Sequence, residues 1–177
     1  MDRNALIEFA SPFYKDKDLM HNMWHIELLI KYVDKIINCG NYSVDYDNLI
    51  IASYFHGFIY SHEQQIKTWL KDQQFSDDDI DFITKVAYES QRSQVPTTLE
   101  GKILHDAHVI EGGDTYLLIK SLLTGTARGQ TLTETIEYIE RYVIDSNKCY
   151  LPETIPILEK SNCFAKEIIY KLKEDIK

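Results

Sequence analysis

Three cysteines, four prolines and seven glycines are few in a chain of 177 residues, and each scarcity excludes something. Cys39, Cys149 and Cys163 are odd in number and lack C-x-x-C spacing, so they build neither a disulfide framework nor a structural zinc site. A reducing cytoplasm is the expected compartment. No segment approaches the roughly 18 uninterrupted apolar residues of a membrane helix. The opening MDRNALIEFA is also too short in apolar run to read as a signal peptide. Bases are outnumbered by acids, 19 against 28, and the net charge of −9 argues against a nucleic-acid polymer as partner. Low-complexity stretches, repeats and a composition shift that would mark a linker are all missing, so residues 1–177 are expected to form one domain.

What is present is helical periodicity. From Asp18 to Cys39, apolar residues recur at steps of three and four (Leu19, Met23, Ile26, Leu29, Ile30, Val33, Ile36, Ile37), and Gly40 ends the run. Asp45 to Phe58 is apolar on most sides and predicts a short central helix. Ser61 to Gln73 follows. Ser76 then caps a helix reaching about Ser90, with Asp77, Asp78 and Asp79 in its first turn, where the dipole favours acids. Pro96 with Thr97 or Thr98 starts another, interrupted by Gly112-Gly113 and resuming over Tyr116 to Leu123. Thr131 to Asp145 and Pro152 to Lys173 complete an all-α chain without strand-like alternation, expected to pack as one irregular bundle.

The chemistry-bearing residues are concentrated on these helices. His25 lies in the stripe of Leu28, Leu29, Tyr32 and Ile36 and points inward. A buried imidazole needs partners for both nitrogens. A metal with a carboxylate or carbonyl supplies them, and so do the ordinary hydrogen bonds of a core histidine, so both readings stay open for His25 taken alone. His56 ends the apolar run I-I-A-S-Y-F-H-G. Asp106 sits in I-L-H-D-A-H among Ile103, Leu104 and Ala107, where a carboxylate is costly unless partners offset its desolvation. Two imidazoles and one carboxylate from three helices suit a divalent transition metal with open positions.

The quoted runs also carry a resemblance. D-L-M-H-N-M-W-H-I-E-L-L-I-K-Y-V, I-A-S-Y-F-H-G-F-I-Y and P-T-T-L-E-G-K-I-L-H-D-A-H-V-I-E-G-G resemble, in order, three elements of the HD-domain superfamily of metal-dependent phosphohydrolases, over about Asp18 to Gly113. The resemblance implies an HD-type helical bundle with His25, His56 and Asp106 as metal ligands and His21 as the upstream histidine. It implies a divalent cofactor such as manganese, iron, nickel, cobalt or magnesium, and a small phosphorylated substrate, a nucleotide among the options. His62, with Glu63, resembles a stretch that contacts substrate or a second metal, and His62 is the candidate catalytic residue; a solvated helix face is the alternative. Glu89 falls where many relatives carry another histidine.

Two positions depart from the pattern. Gly57 stands where the aspartate of the family's His-Asp pair belongs, and glycine has no side chain to coordinate a cation. His108 stands where aspartate is usual, and His105 is expected to point elsewhere. The readings carried forward are therefore a metal-dependent phosphohydrolase lacking one usual ligand, or an HD-like binding or regulatory protein with impaired turnover.

Overall fold

The computed structural model describes residues 2–176, and among these it contains nine α-helices and no strand. They are α1 (Arg3–Ala10), α2 (Met23–Gly40), α3 (Tyr46–Phe55), α4 (Ile59–Asp72), α5 (Asp77–Glu89), α6 (Leu99–Ile110), α7 (Gly113–Ala127), α8 (Leu132–Tyr142) and α9 (Ile155–Asp175). The all-α expectation holds. No described helix is long and apolar enough to cross a membrane.

Local chemistry sets most of the boundaries. The helix expected from Asp18 begins instead at Met23, because Asp18 Oδ1 accepts from the Met20 amide at 2.8 Å and the Asn22 side chain caps the Trp24 amide. It ends at Asn41, whose φ of 49° and ψ of 44° are left-handed, with the Tyr42 amide donating back to the Ile37 carbonyl. Ser76, Thr98 and Thr131 cap α5, α6 and α8, each accepting from an amide three residues on. The α6–α7 break falls at Gly112 and Gly113, with φ of 72° and 73°, values at which a Cβ would be strained. Helix α1 and the 3₁₀ turn Ser11–Phe13 after it lie outside the periodic segments; α1 is short, and it is held by burying Leu6 and Ala10 against α3.

Two apolar clusters hold the bundle. The larger joins α1 to α6 around Ile26, Leu29, Val33, Leu49, Phe55, Ile83, Ile103 and Leu104. Each side chain of this kind contributes about 1.5–3 kcal/mol by leaving water, and Leu29→Ala would cost about 2–5 kcal/mol. The smaller cluster, with Ile136, Ile139, Ala165 and Ile169, joins α7, α8 and α9. Helix α2 packs along α6, and α3 along α5, so the start of α2, the end of α3 and the end of α6 can meet at one place.

Candidate metal centre

Three imidazoles meet there. His25 comes from the first turn of α2, His56 from the residue that closes α3, and His108 from the last turn of α6. One ring nitrogen from each lies within 4.8 Å of the other two, a spacing that could hold a metal ion. The ring centroids of His56 and His108 are 4.2 Å apart, and His25 lies 5.8 and 5.9 Å from them.

The surrounding groups determine which nitrogen each ring offers. His56 Nδ1 is 2.7 Å from Ser90 Oγ, and that hydroxyl donates to the Ala87 carbonyl at 2.6 Å. The serine proton is thus committed, so His56 Nδ1 is the donor of the pair. His108 Nδ1 faces the Ser90 carbonyl at 3.3 Å, an acceptor only. His25 Nδ1 lies 2.9 Å from Glu111 Oε2, a charge contact whose N–H direction falls short of a well-aligned hydrogen bond. Each Nδ1 thus faces an oxygen, with Gln91 Nε2 a further 3.3 Å neighbour of His56 Nδ1, and in the tautomer that puts the proton on Nδ1 each Nε2 keeps a lone pair. This is the arrangement by which outer groups orient metal-ligating histidines.

The electrostatics agree. Burial holds the His56 and His108 pKa values well below the ordinary histidine range, with His25 and Lys120 adding to the effect at His56, and His56 and Arg92 at His108. Burial also lowers His25, although Glu111 pulls the other way. The rings are neutral near pH 7, the form a metal requires. Burial pushes the Glu111 carboxyl up, but contacts with His25 and with the buried Lys120 ammonium outweigh it and keep it ionised.

The trio opens into a cavity of about 360 Å³ also lined by Lys17, His21, Gly57, Gln91 and Arg128. A second cavity of about 210 Å³ shares His21, His108 and Arg128 with it and adds Arg92 and Lys120. Lys17, Arg92 and Arg128 form no ion pair among the described residues. Asp18 lines the first cavity too and acts on Lys17 and Arg128 through its charge, but the cations of the two adjoining cavities outnumber it, which on a chain with net charge −9 makes a local anion-attracting field. His21 Nδ1 is held by Asp18 at 2.8 Å, and its ring stands 5.8 Å from that of His25.

Other expected site residues lie elsewhere. Asp106 is fully buried beside the trio in sequence, yet its carboxylate turns to the segment before α9, accepting from the Tyr150 amide at 2.9 Å, the Leu151 amide at 2.8 Å and the Thr154 hydroxyl at 2.6 Å. His108 takes the third place in the cluster that was expected of Asp106. His62 is also away from the cavity. It sits at a kink in α4 with its ring 4.8 Å from Phe13 and 6.1 Å from Phe58. Glu63 accepts from Tyr88 and pairs with Lys67, while Glu89 is enclosed by the amides and hydroxyls of Thr97 and Thr98. His105, expected to point elsewhere, is buried against Asp106 and the ring of Tyr150 and lines neither cavity. Sequence reasoning missed Lys17, Ser90 and Glu111. Of these only Glu111 carries a local signal, its three-residue spacing from His108.

The site of Gly57 is filled. A Cβ built there would fall 2.7 Å from the Tyr14 ring and hydroxyl and 2.8 Å from Lys17 Nζ. An aspartate would displace both.

No protein-family model matches the chain, and no curated protein matches it. Among solved structures, the fold is similar to that of Bacillus subtilis YpgQ, with a TM-score of 0.72 at 16% identity over 99% of this chain and 98% of that one. The crystal structure of Bacillus subtilis YpgQ in complex with ADP is similar to the same degree, with a TM-score of 0.71 at 16% identity over 96% of this chain and 97% of that one.

Proposed function

We propose that this chain, acting as one domain, is a metal-dependent phosphohydrolase of HD-domain type whose substrate is a small phosphorylated compound. The observation that carries the reading is the set of three imidazoles that burial keeps neutral, each with Nδ1 against an oxygen, facing a cavity whose wall carries Lys17 and Arg128. The ADP complex of the similarly folded YpgQ favours a nucleotide as the phosphorylated compound.

His25, His56 and His108 would hold the ion. Three ring nitrogens suit iron, cobalt, nickel or zinc, and suit magnesium poorly, since it takes oxygen ligands. A divalent ion bound there supplies a water of lowered pKa and polarises a phosphoryl oxygen. The chain's own groups account for the remaining needs. Lys17 and Arg128 neutralise phosphate charge, and Arg can do so with two parallel hydrogen bonds. His21, positioned by Asp18, is the titratable ring on the cavity wall outside the trio and is the group placed to move a proton there.

One observation favours a second reading, a binding or regulatory protein. The trio contains no carboxylate, and the place of a side chain at position 57 is taken by Tyr14 and Lys17. Elemental analysis of the purified chain, followed by assays on phosphomonoesters and nucleotides with added manganese, cobalt, nickel or zinc, separates the two. Stoichiometric metal with hydrolysis, both lost in His108→Ala, supports the enzyme. Metal without hydrolysis of any substrate supports the binding protein, and a chain that takes up no metal and cleaves no substrate removes the enzyme reading.

A further inference from the structure

Lys17 is seated in an unusual way. Its ammonium donates to the Gly57 carbonyl at 2.5 Å and lies 4.6 Å from the centroid of the Tyr14 ring; it makes no ion pair within 4 Å among the described residues, and the neighbouring Asp18 carboxylate, which His21 holds, acts on it only through its charge. Tyr14 is itself held rigidly. Its hydroxyl donates to the Tyr54 carbonyl at 2.8 Å and accepts from the Gly57 amide at 3.1 Å. The ammonium is therefore clamped between a backbone oxygen and an aromatic face, on the wall of the cavity into which the three imidazoles open.

That seat depends on residue 57. Any Cβ there would fall 2.8 Å from Lys17 Nζ and 2.7 Å from Tyr14, so glycine at 57 is what admits the lysine. An ammonium has three donors, and one is used on the Gly57 carbonyl. With the trio neutral, Lys17 supplies fixed positive charge on its wall, facing the same space as Arg128.

We propose that Lys17 binds phosphoryl oxygens of the ligand as a built-in monovalent cation beside the three imidazoles, and that Gly57 is required to seat it. This rests on the phosphorylated ligand proposed above. The test titrates inorganic orthophosphate into the full chain, with and without added zinc, by calorimetry or phosphorus NMR. Lys17→Met is expected to weaken phosphate binding about tenfold or more, the size of a lost charge-assisted hydrogen bond. Zinc uptake by the same variant is expected to stay stoichiometric. Lys17→Arg should restore part of the affinity, and Gly57→Ala should reproduce the defect with Lys17 still present. Should Gly57→Ala fail to fold, Lys17→Met decides alone.

Phosphate binding by Lys17→Met equal to that of the natural chain, or none by the natural chain in either metal state, overturns the proposal. Failure here is distinguishable from failure of the hydrolase reading. Lysine-dependent phosphate binding without hydrolysis leaves this inference standing and removes the enzyme. Hydrolysis with phosphate binding indifferent to Lys17 does the reverse.

Discussion

The Nδ1 of His56 sits 2.7 Å from the hydroxyl of Ser90, which has no proton left to give it. With the serine oxygen as acceptor the ring proton sits on Nδ1 and Nε2 keeps the lone pair a metal would take, while Gln91 Nε2, donating to the His56 carbonyl at 2.7 Å, stands 3.3 Å from the same Nδ1. Ser90→Ala removes this hydroxyl but keeps the Ser90 carbonyl that faces His108. The expected result is a roughly 10- to 100-fold loss of metal affinity, the range for groups that orient metal ligands, with little change in fold. Competition against a chromophoric chelator measures it. Unchanged affinity would show that His56 needs no such lock.

Glu111 bridges two buried cationic or ionisable groups, His25 Nδ1 at 2.9 Å and the Lys120 ammonium. Removing its charge strands that ammonium inside the bundle. Glu111→Gln is expected to destabilise the chain by about 3–5 kcal/mol, as when one partner of a buried pair is lost. Glu111→Gln with Lys120→Met should recover a substantial part of this, because the stranded charge has gone. Denaturant unfolding of the two variants reads the difference. A double variant no more stable than the single one would mean that Lys120 is not the source of the cost.

Burial keeps His56 and His108 neutral, and this has a signed consequence for stability. Between their depressed folded values and the unfolded value of about 6.5, the unfolded chain binds protons that the folded chain refuses. Stability therefore rises with pH in that window and is lost as pH falls through it, by at most about 1.4 kcal/mol per pH unit per ring. Glu111, whose carboxyl is held low, adds a loss of the same sign further down in the carboxylate range. In metal-free protein, the urea midpoint should fall between pH 7.5 and 5.5, and replacing both histidines by asparagine should flatten that dependence. A midpoint already flat in the natural chain would contradict the depressed values.

How much of this was legible in the sequence depends on whether the information is local. The inward direction of His25 follows from the period of α2, and the burial of His56 follows from the apolar run it ends. The caps at Ser76, Thr98 and Thr131 are likewise short-range signals. The rotational setting of α6 is not readable in the same way. Apart from Lys102 and His108, its residues from Gly101 to Ile110 are buried all round, so no polar face tells which side meets α2 and α3. Two residues along a helix turn the side chain by about 200°, so choosing between Asp106 and His108 requires that setting. The seat of Lys17 is still less accessible, since it joins residues 40 apart through a loop and a helix end. Nor does the spacing of Ile66, Trp69 and Leu70 reveal the kink that turns His62 onto Phe13.

The division of labour between Asp106 and His108 is open to direct test. Asp106 Oδ2 accepts from two backbone amides and one hydroxyl, tying α6 to the segment that leads into α9. In Asp106→Asn an amide nitrogen placed at that oxygen would face donors, and turning the group over only moves the mismatch. The expected cost is about 1.5–3 kcal/mol for the lost charge-assisted bonds, with metal affinity retained. His108→Ala has the opposite signature, since the ring contributes one of three ligand nitrogens and no backbone anchor beyond its contact with the Ser90 carbonyl. Its metal affinity should collapse while its unfolding midpoint stays close to that of the natural chain. If Asp106→Asn loses the metal and His108→Ala keeps it, the carboxylate and not the third imidazole is the ligand, and α6 is turned differently from the structure described above.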